Sequence, residues 1–158
     1  MWGIVGYSGA KWERDPVLLG EYVQKLDAKN RLTLPAKFRP HFADGVVVTK
    51  GLDGCLLAFN REGWEQFAES RLGRLDPFSR EGRVVSRHLY GGATEAELDG
   101  QGRVMIPQPL LRHGGLSKEI VVAGLRDFLE IWDLGAWRRQ EAESEGSVED
   151  VAERLSQQ

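Results

Sequence analysis

A chain of 158 residues, 41% hydrophobic and 28% charged with a formal net charge of −3, has the make-up of an ordinary globular protein of one domain or two very small ones. No apolar run approaches the ~20 residues of a membrane-spanning helix, so no membrane partner is expected. The lone Cys55 excludes an intrachain disulfide, and His41, His88 and His113 are scattered without ligand-like spacing, so no metal or other cofactor is expected. The acidic total is unevenly spread. From Asp133 onward the chain nets −4, whereas residues 20–40 net +3 through Lys25, Lys29, Arg31, Lys37 and Arg39. Binding to phosphates depends on where bases cluster more than on the sum, so nucleic acid stays open as a partner.

Residues 1–16 lack a basic region followed by a long apolar stretch and do not read as a secretory signal. They have no counterpart later in the chain, and Val17 to Gly20 looks like the natural beginning of the fold, so an alternative start at Val17 is one expectation. A strand is expected over 20–26, a turn over 27–30, and a second short strand with Leu32 and Leu34 inward. Pro35 stops that strand and can open a helical turn, which Pro40 limits. Two apolar strands follow, 46–50 and 55–59, joined through Asp53-Gly54, a strong hairpin signal. Asn60 reads as the N-cap of a helix carrying Trp64 and Phe67. Asp76-Pro77 reads as the N-cap and first residue of a helix to about Tyr90, ended by Gly91-Gly92.

The same order of elements then recurs. KLDAKNRLTLPAKF at 25–38 returns as ELDGQGRVMIPQPL at 97–110, with Leu26, Asp27, Arg31 and Pro35 matched by Leu98, Asp99, Arg103 and Pro107 at an offset of 72. Farther on, 47–64 aligns with 120–137 at an offset of 73, pairing Gly51-Leu52 with Gly124-Leu125 and Trp64 with Trp137. Copy two is therefore read as strands over 93–98, around Val104 and Ile106, over 120–123 and over 128–132. A helix capped by Asp133 follows, and from Glu141 an acidic, weakly ordered tail or loose helix. The organisation expected is an extension 1–16, a repeat 17–75, a connecting helix 76–91, a repeat 92–140 and an acidic tail 141–158. Each copy is only about 50 residues of short strands, near the lower limit for independent stability, so the two apolar faces should pack on each other. The fold class is α+β, mainly β: one pseudo-twofold, barrel-like core with short helices around it.

The chemistry sits at the two turns. Arg31 and Arg103 follow tight turns in matched positions, and arginine can contact guanine O6 and N7 bidentately. Lys29, Lys37 and Arg39 suit phosphate contacts. Asp27 and Asp99 are poor DNA contacts by charge; with Asn30 and Gly102 they are read as shaping the turns, through backbone N–H groups or by orienting the arginines. On spacing alone, Asp-x-x-x-Arg is also simply a surface ion pair, and Lys37 and Arg39 a solvated helix face. Lys25 and Lys29 face Glu97 and Gln101 in copy two, so the first turn should attract DNA more strongly. Trp64, Phe67, Trp132 and Trp137 read as core or subunit contacts, and Cys55 as a small hydrophobe. An enzyme is not the reading, and no small-molecule substrate is expected. There is no glycine-rich phosphate loop and no Ser–His or Cys–His constellation, and no apolar pocket is evident that would raise the pKa of Asp27 or Asp99.

The string LLGEYVQKLDAKNRLTLPAKFR, followed by the second turn DGQGR at 99–103, resembles the signature of the MraZ family, whose typical first turn is D-A-K-G-R. The similarity covers residues 18 to about 140. The resemblance implies an AbrB-like, swapped-hairpin fold with both halves in one chain. It also implies a ring-like homo-oligomer and a cytoplasmic, nucleoid-associated regulator of transcription. Such a regulator binds double-stranded DNA at short G-rich direct repeats upstream of the division and cell-wall gene cluster. A protein-interaction module, such as an antitoxin-like partner or a modulator of a methyltransferase, is the alternative. The family's first-turn glycine is Asn30 here. Asparagine tolerates positive φ best after glycine, so the turn chemistry is expected to survive.

Overall fold

The computed structural model of the protein describes residues 17–158, so the expectation placed on residues 1–16 lies outside the described residues. The fold is mixed α+β around a large antiparallel sheet. Copy one supplies β1 (Leu18–Lys25), β2 (Arg31–Thr33), a 3-10 helix (Ala36–Phe42), β3 (Val46–Lys50), β4 (Leu56–Phe59) and α1 (Arg61–Ser70). After a second 3-10 turn (Leu72–Arg74) comes the connecting helix α2 (Arg80–Leu89). Copy two supplies β5 (Thr94–Ala96), β6 (Arg103–Met105), α3 (Gln108–Gly114), β7 (Glu119–Arg126), β8 (Leu129–Asp133) and α4 (Leu134–Ser144), and α5 (Val148–Ser156) ends the chain.

Six strands pair in the order β1-β7-β8-β4-β3-β5, and β2 pairs with β6 as a separate ribbon. The sheet is symmetric about its central β4–β8 joint, where Leu56 lies opposite Ile131. Each copy's first strand leaves its own later hairpin and pairs with the other copy's: β1 with β7, β5 with β3. The bonded order has two ends, β1 and β5, so the barrel-like closure expected from the apolar pattern is not among its hydrogen bonds. The shared core is nonetheless one body. Val46, Val48, Leu56, Ala58, Ile120, Val122, Leu129 and Ile131 point from one sheet face onto Leu32, Leu34, Val104 and Ile106 of the ribbon and Phe38, Phe42 and Leu110 of the helical turns after it. The alternation forecast for both short strands is thus realised, with all four of those ribbon residues buried. On the opposite face Cys55, Val121 and Trp132 pack under Trp137 of α4, and Phe59 stacks against Phe67 and Phe128.

Local signals explain most boundaries. Asp53 and Gly54 both take positive φ, 63° and 84°, as the two-residue hairpin turn demands. Asn60 and Asp133 cap α1 and α4, accepting hydrogen bonds from Gly63 N and Ala136 N. Pro35 and Pro107 open the helical turns, but the turns differ in kind. Pro40 does not stop the first one; it sits inside it, and lacking an N–H to donate four residues back it leaves a 3-10 helix. Copy two has Arg112 at that position and makes an α-helix instead, closed by Gly115 at φ 54°. The expected cap of α2 is also corrected. Ser79 is the N-cap, accepting from Gly82 N at 2.9 Å, while Asp76 closes the preceding turn by accepting from Phe78 N at 2.9 Å. The acidic end forms α4's last turn and a separate exposed helix, α5, the helical one of the two forms expected for it.

Because both ribbon strands are buried in one core shared by the two copies, Leu34→Ala and Ile106→Ala should each lower unfolding stability by about 2–5 kcal/mol, read by urea denaturation. A loss confined to one of the pair would contradict a jointly built core.

Candidate nucleic-acid interface

Each tight turn is built around one carboxylate. Asp27 Oδ1 accepts hydrogen bonds from the backbone N–H groups of Lys29 and Arg31, both at 2.9 Å, and Asp27 Oδ2 accepts from Arg31 Nε at 2.8 Å. Asp99 repeats the pattern with Gln101 N at 2.9 Å, Arg103 N at 3.0 Å and Arg103 Nε at 2.7 Å. The main chain closes the same way in both, Asp27 N to Arg31 O and Asp99 N to Arg103 O, each 3.0 Å. The fourth residue of each turn takes positive φ, 62° at Asn30 and 76° at Gly102. Asparagine therefore does substitute for glycine in the first turn. The carbonyls of these two residues accept from the other copy, Asn30 from Ile106 N and Gly102 from Leu34 N, each at 2.9 Å. The ribbon is thus pinned at both ends by the turns themselves.

In β2–β6 the register sets Arg31 opposite Met105, Leu32 opposite Val104 and Thr33 opposite Arg103. With Leu32 and Val104 inward, the two arginines share the outer face with Thr33 and Met105. They lie on a diagonal, for which Cα separations run about 7–8 Å. Among the described residues, each arginine's side-chain hydrogen bonding runs through Nε to its aspartate, which leaves the Nη1 and Nη2 groups for an outside acceptor. Both side chains are about a quarter exposed, 28% for Arg31 and 24% for Arg103. The backbone N–H of the arginine is the chief cause holding each carboxyl below the ordinary 3.8, reinforced by the arginine side chain; Asp99 falls to about 2. Acid–base catalysis near neutral pH needs such a group raised, so this environment suits a permanently charged anchor.

The other cations named from the sequence are placed differently. Lys29 is exposed on the first turn. Lys37 is exposed as well, with its ammonium over the Tyr22 ring at 5.3 Å from the centroid. Arg39 is half-buried: its Nε donates to the Leu34 carbonyl at 3.0 Å, and its guanidinium packs over Gly102, where an added Cβ would collide with it. Arg39 therefore belongs spatially to the second turn. That brings a cation to the turn that sequence alone reads as the less basic one, and explains why glycine stays at 102 while 30 accepts asparagine. The position matching Arg39 in copy two is the buried Leu111, so the first turn lacks the equivalent arginine.

Sequence reasoning passed over Thr33 and Met105. Their signal was available: they alternate with Leu32, Leu34, Val104 and Ile106, and Met105 is 59% exposed on a strand whose neighbours are buried. The histidines, dispersed in sequence, converge in part. His88 and His113 stack edge-on with ring centroids 5.2 Å apart, and His88 Nε2 lies 2.8 Å from the Gly51 carbonyl. Burial, then the neighbouring His88, lowers the His113 pKa. Among the described residues no group of three or more His, Cys, Asp or Glu could hold a metal ion, and no helix is long and apolar enough to cross a membrane. Cys55 is buried with its thiol donating to the Leu52 carbonyl at 3.1 Å, and burial pushes its pKa up to about 12.

Two tests address the turns directly. Asn30→Ala places a Cβ-bearing residue without an amide at positive φ and should cost about 1–2 kcal/mol, which Asn30→Gly should spare. Asp99 has a folded pKa of about 2 against an ordinary 3.8, so its contribution is complete above 3.8 and is lost as pH falls through about 2. Carboxyl carbon NMR should find this titration point, and a value at or above 3.8 would remove the backbone-held anchor.

Comparison with known proteins agrees along most of the chain. The family described as "MraZ protein, putative antitoxin-like" matches twice, over residues 17–84 and 89–158. A protein of Ligilactobacillus salivarius named transcriptional regulator MraZ is 40% identical over 139 residues, 88% of this chain and 96% of its own. Proteins of the same name from Alkaliphilus metalliredigens and Caldicellulosiruptor saccharolyticus are 37% and 38% identical, each over 89% of this chain and 98% of their own.

Proposed function

Since the chain belongs to the MraZ family, we propose that it is a transcriptional regulator that grips double-stranded DNA with the paired turns of the β2–β6 ribbon. The observation that carries this reading is the pair of arginines on one face, each held to its turn through Nε and only partly buried, with neither amino group in a protein hydrogen bond. An end-on guanidinium of this kind matches O6 and N7 of guanine, which fits the short G-rich direct repeats that the resemblance implies. Thr33 and Met105 beside them can meet a base edge or a thymine methyl. Lys29 and Arg39, one at each turn, serve the phosphates, with Lys37 to the side.

The finer assignments rest on the resemblance and the chain's internal pattern. We read residues 17–75 and 92–140 as two AbrB-like repeats joined by 76–91, with 141–158 as an acidic tail. The exchange of first strands between the copies supports the swapped-hairpin description. The working form is a ring-like homo-oligomer in the cytoplasm at the nucleoid, acting upstream of the division and cell-wall genes. Several subunits on adjacent repeats would multiply individually weak contacts.

Gel shifts and footprints on the DNA upstream of the protein's own gene, with a salt series, test the reading. Specific affinity should fall steeply with salt. Arg31→Ala and Arg103→Ala should each cut specific affinity by about 5- to 150-fold and relax sequence preference. Lys29→Ala should weaken binding evenly across sequences and reduce the salt slope by about 1. Binding that is insensitive to both arginines would overturn their role, and absence of specific, salt-sensitive binding would favour the protein-interaction alternative.

A further inference from the structure

We propose that Met105 and Thr33 select the base beside each arginine's guanine, and so fix the direction in which the β2–β6 ribbon lies on its site. The inference rests on the regulator reading above and deepens it.

The outer face of the ribbon holds four side chains in two rows, Arg31 opposite Met105 and Thr33 opposite Arg103. Opposed residues on one face of an antiparallel pair have Cβ atoms about 4.5–5.5 Å apart. Each arginine therefore has a close neighbour that belongs to the other copy. Successive bases on one strand rise by about 3.4 Å, so that neighbour reaches the base next to the arginine's own. The arginines are equivalent, but their neighbours are not. Arg31 stands beside a flexible thioether, and Arg103 beside a hydroxyl that can donate or accept.

Neither neighbour is used by the fold. Met105 is 59% exposed, whereas Val104 and Ile106 on either side of it are each 1% exposed. It belongs to neither apolar cluster, so packing does not account for a large apolar side chain there. Thr33 Oγ1 makes no hydrogen bond among the described residues. In the major groove an apolar tip is matched by the 5-methyl of thymine, while threonine serves several bases. The Arg31–Met105 row thus reads guanine with a thymine beside it, and the Arg103–Thr33 row guanine with a tolerant neighbour.

Symmetry turns this difference into direction. A strictly twofold ribbon would make the same contacts if the duplex were turned end for end. Lys29 against Gln101, and Arg39 against Leu111, differ in their pull on phosphates, but phosphates carry no base sequence. Of the four outer-face residues, only Met105 and Thr33 break the equivalence.

The test uses the full-length protein and the site footprinted upstream of its gene, with contacted guanines found by N7-methylation interference. Each thymine beside such a guanine is replaced in turn by deoxyuridine, which removes only the 5-methyl. One replacement should weaken wild type by about fourfold, the worth of one buried methyl-sized group. Met105→Thr should be indifferent to it, and Met105→Leu should restore the sensitivity. In selection from duplexes randomised beside both guanines, Thr33→Met with Met105→Thr should move the thymine preference to the other guanine. Asn30→Gly, which alters a turn but not the outer face, should leave the preference in place. All these variants should keep the wild-type urea midpoint, since both exchanged positions lie outside the core. A site with no thymine beside either guanine, or deoxyuridine that is neutral throughout, would overturn the proposal. So would a preference that survives Met105→Thr, stays put in the exchanged variant or moves with Asn30→Gly. Any of these with binding still dependent on Arg31 and Arg103 removes this inference alone; binding independent of both arginines removes the regulator mechanism itself.

Discussion

A single carboxylate at each turn, accepting two backbone N–H groups on one oxygen and the following arginine's Nε on the other, is the constraint on which the rest of the interface depends. A partly exposed ion pair contributes little to stability, about 0–1 kcal/mol. Its consequence here is geometric. Two of the three nitrogens of each guanidinium stay unbonded while the third is held by the carboxylate, so the conformational cost of ordering a long side chain is met on folding rather than on binding. A lysine at either position could keep the charge and lose the fork.

The constraint would be idle without the ribbon that carries it. Three-residue strands cannot hold themselves, and β2 and β6 stay in register because each turn's carbonyl also accepts a hydrogen bond from the opposite copy. The inner side of the ribbon, Leu32 and Leu34 with Val104 and Ile106, is in turn buried against strands of both copies. Neither copy has a complete core alone. The pseudo-twofold relation of the arginines follows from that shared core, and their equivalence is enforced by packing rather than by the turns individually.

The sheet also divides the molecule's surfaces. One face receives the ribbon, its basic turns and the helical turns after it; the other receives α1, α2 and α4, with the aromatic cluster around Phe59 and the Trp132–Trp137 pair beneath them. Charge follows the same division. The acidic excess of the last 26 residues comes from Asp133, Glu145 and α5, so a chain of net charge −3 can still present a basic ribbon.

Local chemistry written in the sequence determined the repeat, the strand alternation, the positive-φ residues Asn30 and Gly102, the Asp53-Gly54 hairpin and the caps Asn60 and Asp133. Each depends on residues within a few positions of one another, so spacing suffices to read it. The sequence misplaced the α2 cap, because Asp76 and Ser79 are both good capping residues and only the path of the chain chooses between them. It also did not disclose that Pro40 would be accommodated as 3-10 helix. Tertiary structure alone decided that each first strand pairs with the other copy, that the bonded sheet order stays open, and that Arg39 crosses to cover Gly102. It alone brought His88 to His113 and set Arg31 and Arg103 on one face. These relations join residues tens of positions apart, and they are settled by which apolar surfaces find each other, information that no local window of sequence contains.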